Sequence, residues 1–199
     1  MALTNYTELQ ASIADWLVRD DATTVIPDFI RMAEAEFNRG LDHWRQEAST
    51  TLTVSTQTTA LPADFLGVKT LANGADRMEL ISRADMQQRR EDDDTGGNPT
   101  HYCILGGVLE VYPTPDESTS MVLIYRAEVP ELATTNWLMD QSPDLYLYGS
   151  LVHAFAWAKD AEAAMMHKAK ADECLRMINR ESKRGQMSGS GLRIPIRKF

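Results

Sequence analysis

The sequence predicts an α+β protein: a bundle of about four main helices, two N-terminal and two C-terminal, with an inserted antiparallel β region and an extended C-terminal arm. Three observations predict it. Apolar residues recur at helical spacing near both ends of the chain, the middle switches to period-two alternation punctuated by turn dipeptides, and the last residues alternate apolar with basic side chains behind a Gly/Ser spacer. The boundaries fall at residues 1–46 for the N-terminal helical hairpin, 47–135 for the β-rich insertion, 136–184 for the C-terminal helices and 185–199 for the arm. A chain of 199 residues with 43% hydrophobic content has ample material for a core, so a disulfide scaffold and wholesale disorder are excluded.

In the first helix Tyr6, Leu9, Ile13, Trp16 and Leu17 share one face behind caps at Thr4 or Asn5. In the second, Ile26, Ile30, Ala33, Phe37, Leu41 and Trp44 repeat the pattern behind Thr24, with Pro27 in the first turn. From Glu47 the period changes. The run 49–56 alternates Leu52 and Val54 with threonines, and further strands are expected over 66–71, 78–81, 102–105, 108–112 and 121–125, separated by Asn73-Gly74, Gly106-Gly107 and the segment 113–117. Ser82 and Asp85 predict a capped short helix over 83–90, followed by a solvated loop over 91–99.

Ser142-Pro143-Asp144 is a helix start, with a hydroxyl to cap free amides, a proline tolerated in the first turn and an acid that complements the dipole. The residues after it, Leu145, Leu147, Tyr148, Leu151, Val152, Phe155 and Trp157, surround the helix and predict burial on several sides. The last helix, 160–182, carries a narrower stripe of Ala164, His167, Ala171, Leu175 and Ile178, with Gly185 as its stop.

Little in this pattern is chemical. No Gly-rich dinucleotide fingerprint, Walker loop, zincin helix or EF-hand loop occurs, and His43, His101, His153 and His167 are scattered over three segments, so neither a catalytic, a cofactor nor a metal site is expected. Gly189-Ser190-Gly191 lacks the strand and helix of a nucleophile elbow and reads as linker. The carboxylates, among them Glu34, Glu36, Asp64 and Asp92–Asp94, are read as solvated faces. Cys103 and Cys174 are far apart and read as buried free thiols of a protein folded in a reducing cytoplasm. The N-terminus predicts no secretory leader, and the apolar stretch 145–157 is too short to span a bilayer.

Charge singles out the tail. The formal net charge of −9 argues against coating nucleic acid, but it is unevenly spread. Residues 1–182 hold 15 basic and 29 acidic side chains, a net −14, whereas Lys183, Arg184, Arg193, Arg197 and Lys198 give the last seventeen residues +5. Leu192, Ile194 and Ile196 alternate with Arg193, Pro195 and Arg197 ahead of Phe199, so an extended arm has one apolar and one basic edge, suited to docking on a partner. Burying its four large apolar side chains is worth roughly 6–12 kcal/mol against roughly 8–16 kcal/mol for ordering eight residues. A single arm is therefore marginal, and many arms docking together gain by effective concentration.

Tyr6-Thr7-Glu8-Leu9 with Asp15-Trp16-Leu17, Ile26-Pro27-Asp28-Phe29-Ile30 with Ala33-Glu34-Ala35 and Asn38-Arg39, Leu61-Pro62-Ala63-Asp64-Phe65, and Pro143-Asp144-Leu145-Tyr146-Leu147-Tyr148-Gly149 together resemble the adaptor, or head-to-tail connector, proteins of tailed bacteriophages, especially short-tailed ones. The resemblance covers residues 4–182. It implies a non-enzymatic virion protein at the head–tail junction, present in the host cytoplasm during assembly, that forms a homo-oligomeric ring, a dodecamer, under the portal protein. Such a ring extends the DNA channel, lets genomic double-stranded DNA pass without specific binding, and offers a platform to tail nozzle or tail fibre proteins; no membrane or cofactor is involved. The resemblance assigns portal binding to the arm, with Leu192, Arg193, Ile194, Pro195, Ile196, Arg197 and Phe199 as its contact residues, and the acidic segment Glu91, Asp92, Asp93 and Asp94 is the candidate for the lumen or a tail contact. Two rival readings are a connector-associated peptidoglycan hydrolase and a non-viral soluble binding module.

Overall fold

The computed structural model describes residues 3–187. Its elements run α1 (Tyr6–Leu17), α2 (Ile26–Gly40), β1 (Glu47–Val54), β2 (Thr58–Ala60), β3 (Phe65–Asn73), β4 (Asp76–Arg77), β5 (Glu79–Leu80), α3 (Arg83–Asp92), β6 (His101–Leu105), β7 (Val108–Tyr112), β8 (Thr119–Ala127), α4 (Trp137–Gln141), α5 (Pro143–Trp157) and α6 (Ala161–Met187). The class is α+β, as the periodicities predict. The chain divides into two compact units, one made of the residues up to Trp44 and those from Val129 onward, the other of Arg45–Glu128. The contact-bearing residues expected in the arm, 192–199, lie outside the described residues.

In the helical unit α1 is capped reciprocally. The Asn5 side-chain oxygen accepts from the Glu8 amide at 3.0 Å, and the Glu8 carboxylate accepts from the Thr4 amide and hydroxyl, each at 2.8 Å. At α2 Val25, not Thr24, occupies the cap position, and no side chain caps it; its buried stripe of Ile26, Phe29, Ile30, Ala33 and Phe37 holds it in place. Ser142 occupies the cap position of α5 but its side chain makes no cap hydrogen bond there; its amide donates to the Leu138 carbonyl at 2.8 Å, closing α4. Helix α5 packs on α1, α2 and α6 and buries nearly its whole girth. Gly149 is what lets α2 approach: a Cβ there would stand 2.6 Å from Phe37 Cζ. Asp160 caps α6 by accepting from the Ala163 amide at 3.0 Å. The expected stop at Gly185 is overturned, since α6 continues to Met187. Glycine ends a helix by taking a left-handed conformation, and Gly185 is not among the positive-φ glycines of the described residues.

The β unit holds two four-stranded sheets, ordered β1-β8-β3-β4 and β2-β7-β6-β5. Leu52 and Val54 point inward with Leu71, Met121, Leu123 and Tyr125 to form a separate core, while Thr51 and Thr53 face out. Gly106 and Gly107, both at positive φ (57° and 82°), make the two-residue turn between β6 and β7. One pair departs from the antiparallel expectation: β5 runs parallel to β6, because the chain between them crosses over through α3 instead of turning back. Ser82 caps α3 as expected, accepting from the Asp85 amide at 3.1 Å and donating to its carboxylate at 2.7 Å. The loop expected over 91–99 starts later, since Glu91 and Asp92 form the last turn of α3, where Gln87 and Gln88 donate to them at 3.1 and 3.0 Å.

Candidate functional site

In the helical unit the polar residues of α2 take hold of the chain where it enters this unit again. Glu34 and Asn38, four apart and so on one helix face, accept from the Leu132 amide at 2.9 Å and the Val129 amide at 2.8 Å. The same Glu34 oxygen accepts from the Tyr146 hydroxyl at 3.1 Å, and Asn136 donates to that hydroxyl and to the Pro130 carbonyl, each at 2.7 Å, while capping α4 through Met139. Glu34 is therefore not on a solvated face, contrary to expectation: apolar neighbours at Ala33 and Phe37 carry it inward.

Burial raises the Glu34 carboxyl above its ordinary range, against the opposing hydrogen bonds from Leu132 and Tyr146. A carboxyl whose folded-state pKa is raised favours the fold when protonated, and that contribution is lost as pH rises from the unfolded value through the folded one. Glu34→Gln keeps the acceptor and removes the charge. We expect its urea midpoint, relative to the parent, to be higher at neutral pH than at mildly acidic pH; an equal difference at both pH values would remove Glu34 as the cause.

In the β unit the Glu110 carboxylate is buried in strand β7 and collects most of the local donors. Arg83 Nη1 pairs with one oxygen, while Arg90 Nε (3.3 Å) and Gln57 Nε2 (2.7 Å) reach the other. Arg90 also donates to the Val111 carbonyl at 2.7 Å and lies over the Tyr112 ring. This arginine, seven residues from Arg83 and so on one face of α3, fastens the helix to its sheet. The candidate acidic segment grows from the same place. Asp94 pairs with Arg90 at 3.5 Å, Asp93 accepts from the Thr95 amide at 2.9 Å, and the Tyr112 hydroxyl donates to the Asp93 carbonyl at 2.8 Å. The hydrogen bonds from Thr95 hold the Asp93 carboxyl below its usual range. Glu91, Asp92, Asp93 and Asp94 are thus a charged surface ridge with an anchored backbone. Among the described residues no group of three or more His, Cys, Asp and Glu side chains is placed to hold a metal ion.

The histidines stay apart. His43 stacks on Trp137, His101 accompanies Thr100, His153 stands 3.6 Å from Glu36, and His167 is enclosed by Trp16, Tyr148 and Phe155. Both cysteines are free and buried; burial, helped by the hydrogen bond to Asp144 at 3.1 Å, pushes the Cys174 thiol up to about 12, so it is no nucleophile at neutral pH. Sequence reasoning missed the exposed aromatic corner at Trp16, Val18 and Trp157, because a helical stripe of apolar residues reads as core wherever it falls. No helix of the described residues is long and apolar enough to cross a membrane.

In both units buried polar groups brace the backbone, and charged and apolar groups are left at the surface. The segments quoted above supply that bracing: Glu34, Asn38 and Tyr146 meet in one network, Gly149 admits Phe37, and in the Leu61–Phe65 turn Asp64 accepts from the Tyr125 hydroxyl at 3.0 Å. A family model described as SU10 adaptor protein matches residues 4–195, and the chain belongs to that family. It is a phage structural adaptor, a class whose place is the head–tail junction and whose interactions are with portal and tail components. No curated protein matches the chain.

Proposed function

We propose that this adaptor forms a ring of identical copies, a dodecamer, beneath the portal, extends the DNA channel and carries the tail nozzle or tail fibres, with the arm docking each copy on the portal. The observation that carries this reading is the family match across residues 4–195, nearly the whole chain and including most of the arm. The charge split supports it: a −14 body around a channel repels DNA phosphates and lets the genome pass, while the +5 arm brings Leu192, Ile194, Ile196 and Phe199 to a partner. The Glu91–Asp94 ridge belongs, on this reading, to the lumen or to a tail contact. The structural roles found for the buried carboxylates and thiols favour it over a hydrolase. Negative-stain imaging of the chain mixed with purified portal rings tests the ring: an added layer of density with the portal's axial symmetry is expected, and bare portals beside free monomers would contradict it.

A further inference from the structure

Asn73, the last residue of β3, fastens one sheet of the β unit to the chain that enters the other. Its side-chain amide donates to the Asn98 side-chain oxygen at 2.6 Å and to the Pro99 carbonyl at 3.1 Å, just ahead of β6. Both amide hydrogens are thereby engaged. The Gly97 amide donates to the Thr114 carbonyl and the Thr100 amide to the Tyr112 carbonyl, each at 2.9 Å. Segment 97–100 is therefore held by backbone at the end of β7 and by the Asn73 side chain at the end of β3.

Asn73 is also the one asparagine of six that a glycine follows. The others precede Tyr6, Arg39, Pro99, Trp137 and Arg180, where a side chain or the missing proline N–H hinders attack by the next backbone nitrogen. At Gly74 nothing stands within 4 Å of where a Cβ would be. The pair thus carries its own chemistry. The Gly74 nitrogen attacks the Asn73 side-chain carbonyl carbon, and the side-chain nitrogen leaves as ammonia, taking the Gly74 amide proton. Water then opens the cyclic imide at either carbonyl and gives aspartate or isoaspartate. Ring closure needs the carboxamide free to turn onto the Gly74 nitrogen, and the hydrogen bonds to Asn98 and Pro99 restrain that turn.

We propose that Asn73 is a site of spontaneous deamidation restrained by its clasp on Asn98 and Pro99, and that its conversion releases segment 97–100 from β3. The product carboxylate has no hydrogen to offer. Asn98 can turn its own amide and donate to it, but the carbonyl of the buried Pro99 loses its donor and faces a second acceptor. Isoaspartate also adds a backbone carbon where Asn73 pairs with Asp76 across β3 and β4. The released segment is the one that leads from the Glu91–Asp94 ridge into β6.

Peptide mass mapping of the full-length chain, aged at mildly alkaline pH both folded and in urea, tests the site. Conversion at Asn73 ahead of the other five asparagines is expected, at least tenfold slower in the folded chain than in urea. In Asn98→Ala, shown folded by circular dichroism, the rate should rise at least threefold. Equal rates for folded and unfolded parent, an unchanged rate in a folded Asn98→Ala, or faster conversion at another asparagine of the folded chain would overturn the restrained site. The folded-against-unfolded comparison uses the parent alone, so it stands even where the variant fails to fold. Hydrogen exchange of Asn73→Asp tests the release: peptides covering 97–100 should exchange at least tenfold faster than in the parent, and unchanged exchange there would contradict it.

Discussion

Glu110→Ala lowers the free energy of unfolding by about 3–5 kcal/mol, the scale of breaking a buried ion pair by removing one partner. The carboxylate is 5% exposed and Arg90 15%, so the variant leaves a guanidinium largely shielded from water with one remaining charge partner, the exposed Asp94. Gln57 loses its acceptor as well. Arg83→Ala removes the other cation from the same carboxylate, but its side chain is 53% exposed, and solvent screening limits the loss to about 1 kcal/mol or less. Urea unfolding followed by circular dichroism separates the two. A Glu110→Ala variant within about 1 kcal/mol of the parent would mean that α3 is held to its sheet by something other than this cluster.

That cluster also marks where sequence reading stops. Helices α1, α2, α5 and α6, the Ser82 cap and the Gly106-Gly107 turn were legible, because each follows from spacing or backbone chemistry within a few residues. Glu110 was not, since a glutamate between Leu109 and Val111 carries no local sign of the Arg83 and Arg90 that neutralise it 27 and 20 residues away. Glu34 read as solvated for the same reason, its partners Leu132 and Tyr146 lying 98 and 112 residues downstream. The two-residue strand β4 exists by pairing with β3, so no propensity announces it, and β2 over Thr58–Ala60 was missed likewise, whereas β5 falls within the strand expected over 78–81 and only its parallel pairing with β6 was not legible. Gly185 misled through its usual meaning: helix α6 keeps going because Asn179 and Ser182 on it bind the backbone of Asp42 and Trp44 at 2.8 and 3.0 Å, drawing its C-terminal turns onto the rest of the unit.

The family match supplies the class, and the arm is where the ring reading stands or falls. The described course of helix α6 runs to Met187, so deleting residues 188–199 removes the Leu192, Ile194, Ile196 and Phe199 edge and three of the five tail cations and leaves that described course whole. The hydrogen bonds and cores described above all lie upstream, so the truncated protein should unfold at the parent's urea midpoint. Its capture by portal rings should collapse, because many weak arms acting together lose their avidity together when each loses its apolar edge. The most direct measurement is pull-down on immobilised portal rings, full chain beside the truncation, with the urea midpoint of each recorded. Capture of the full chain and loss of at least tenfold on truncation is the predicted result; equal capture of both, or none of either, would contradict it.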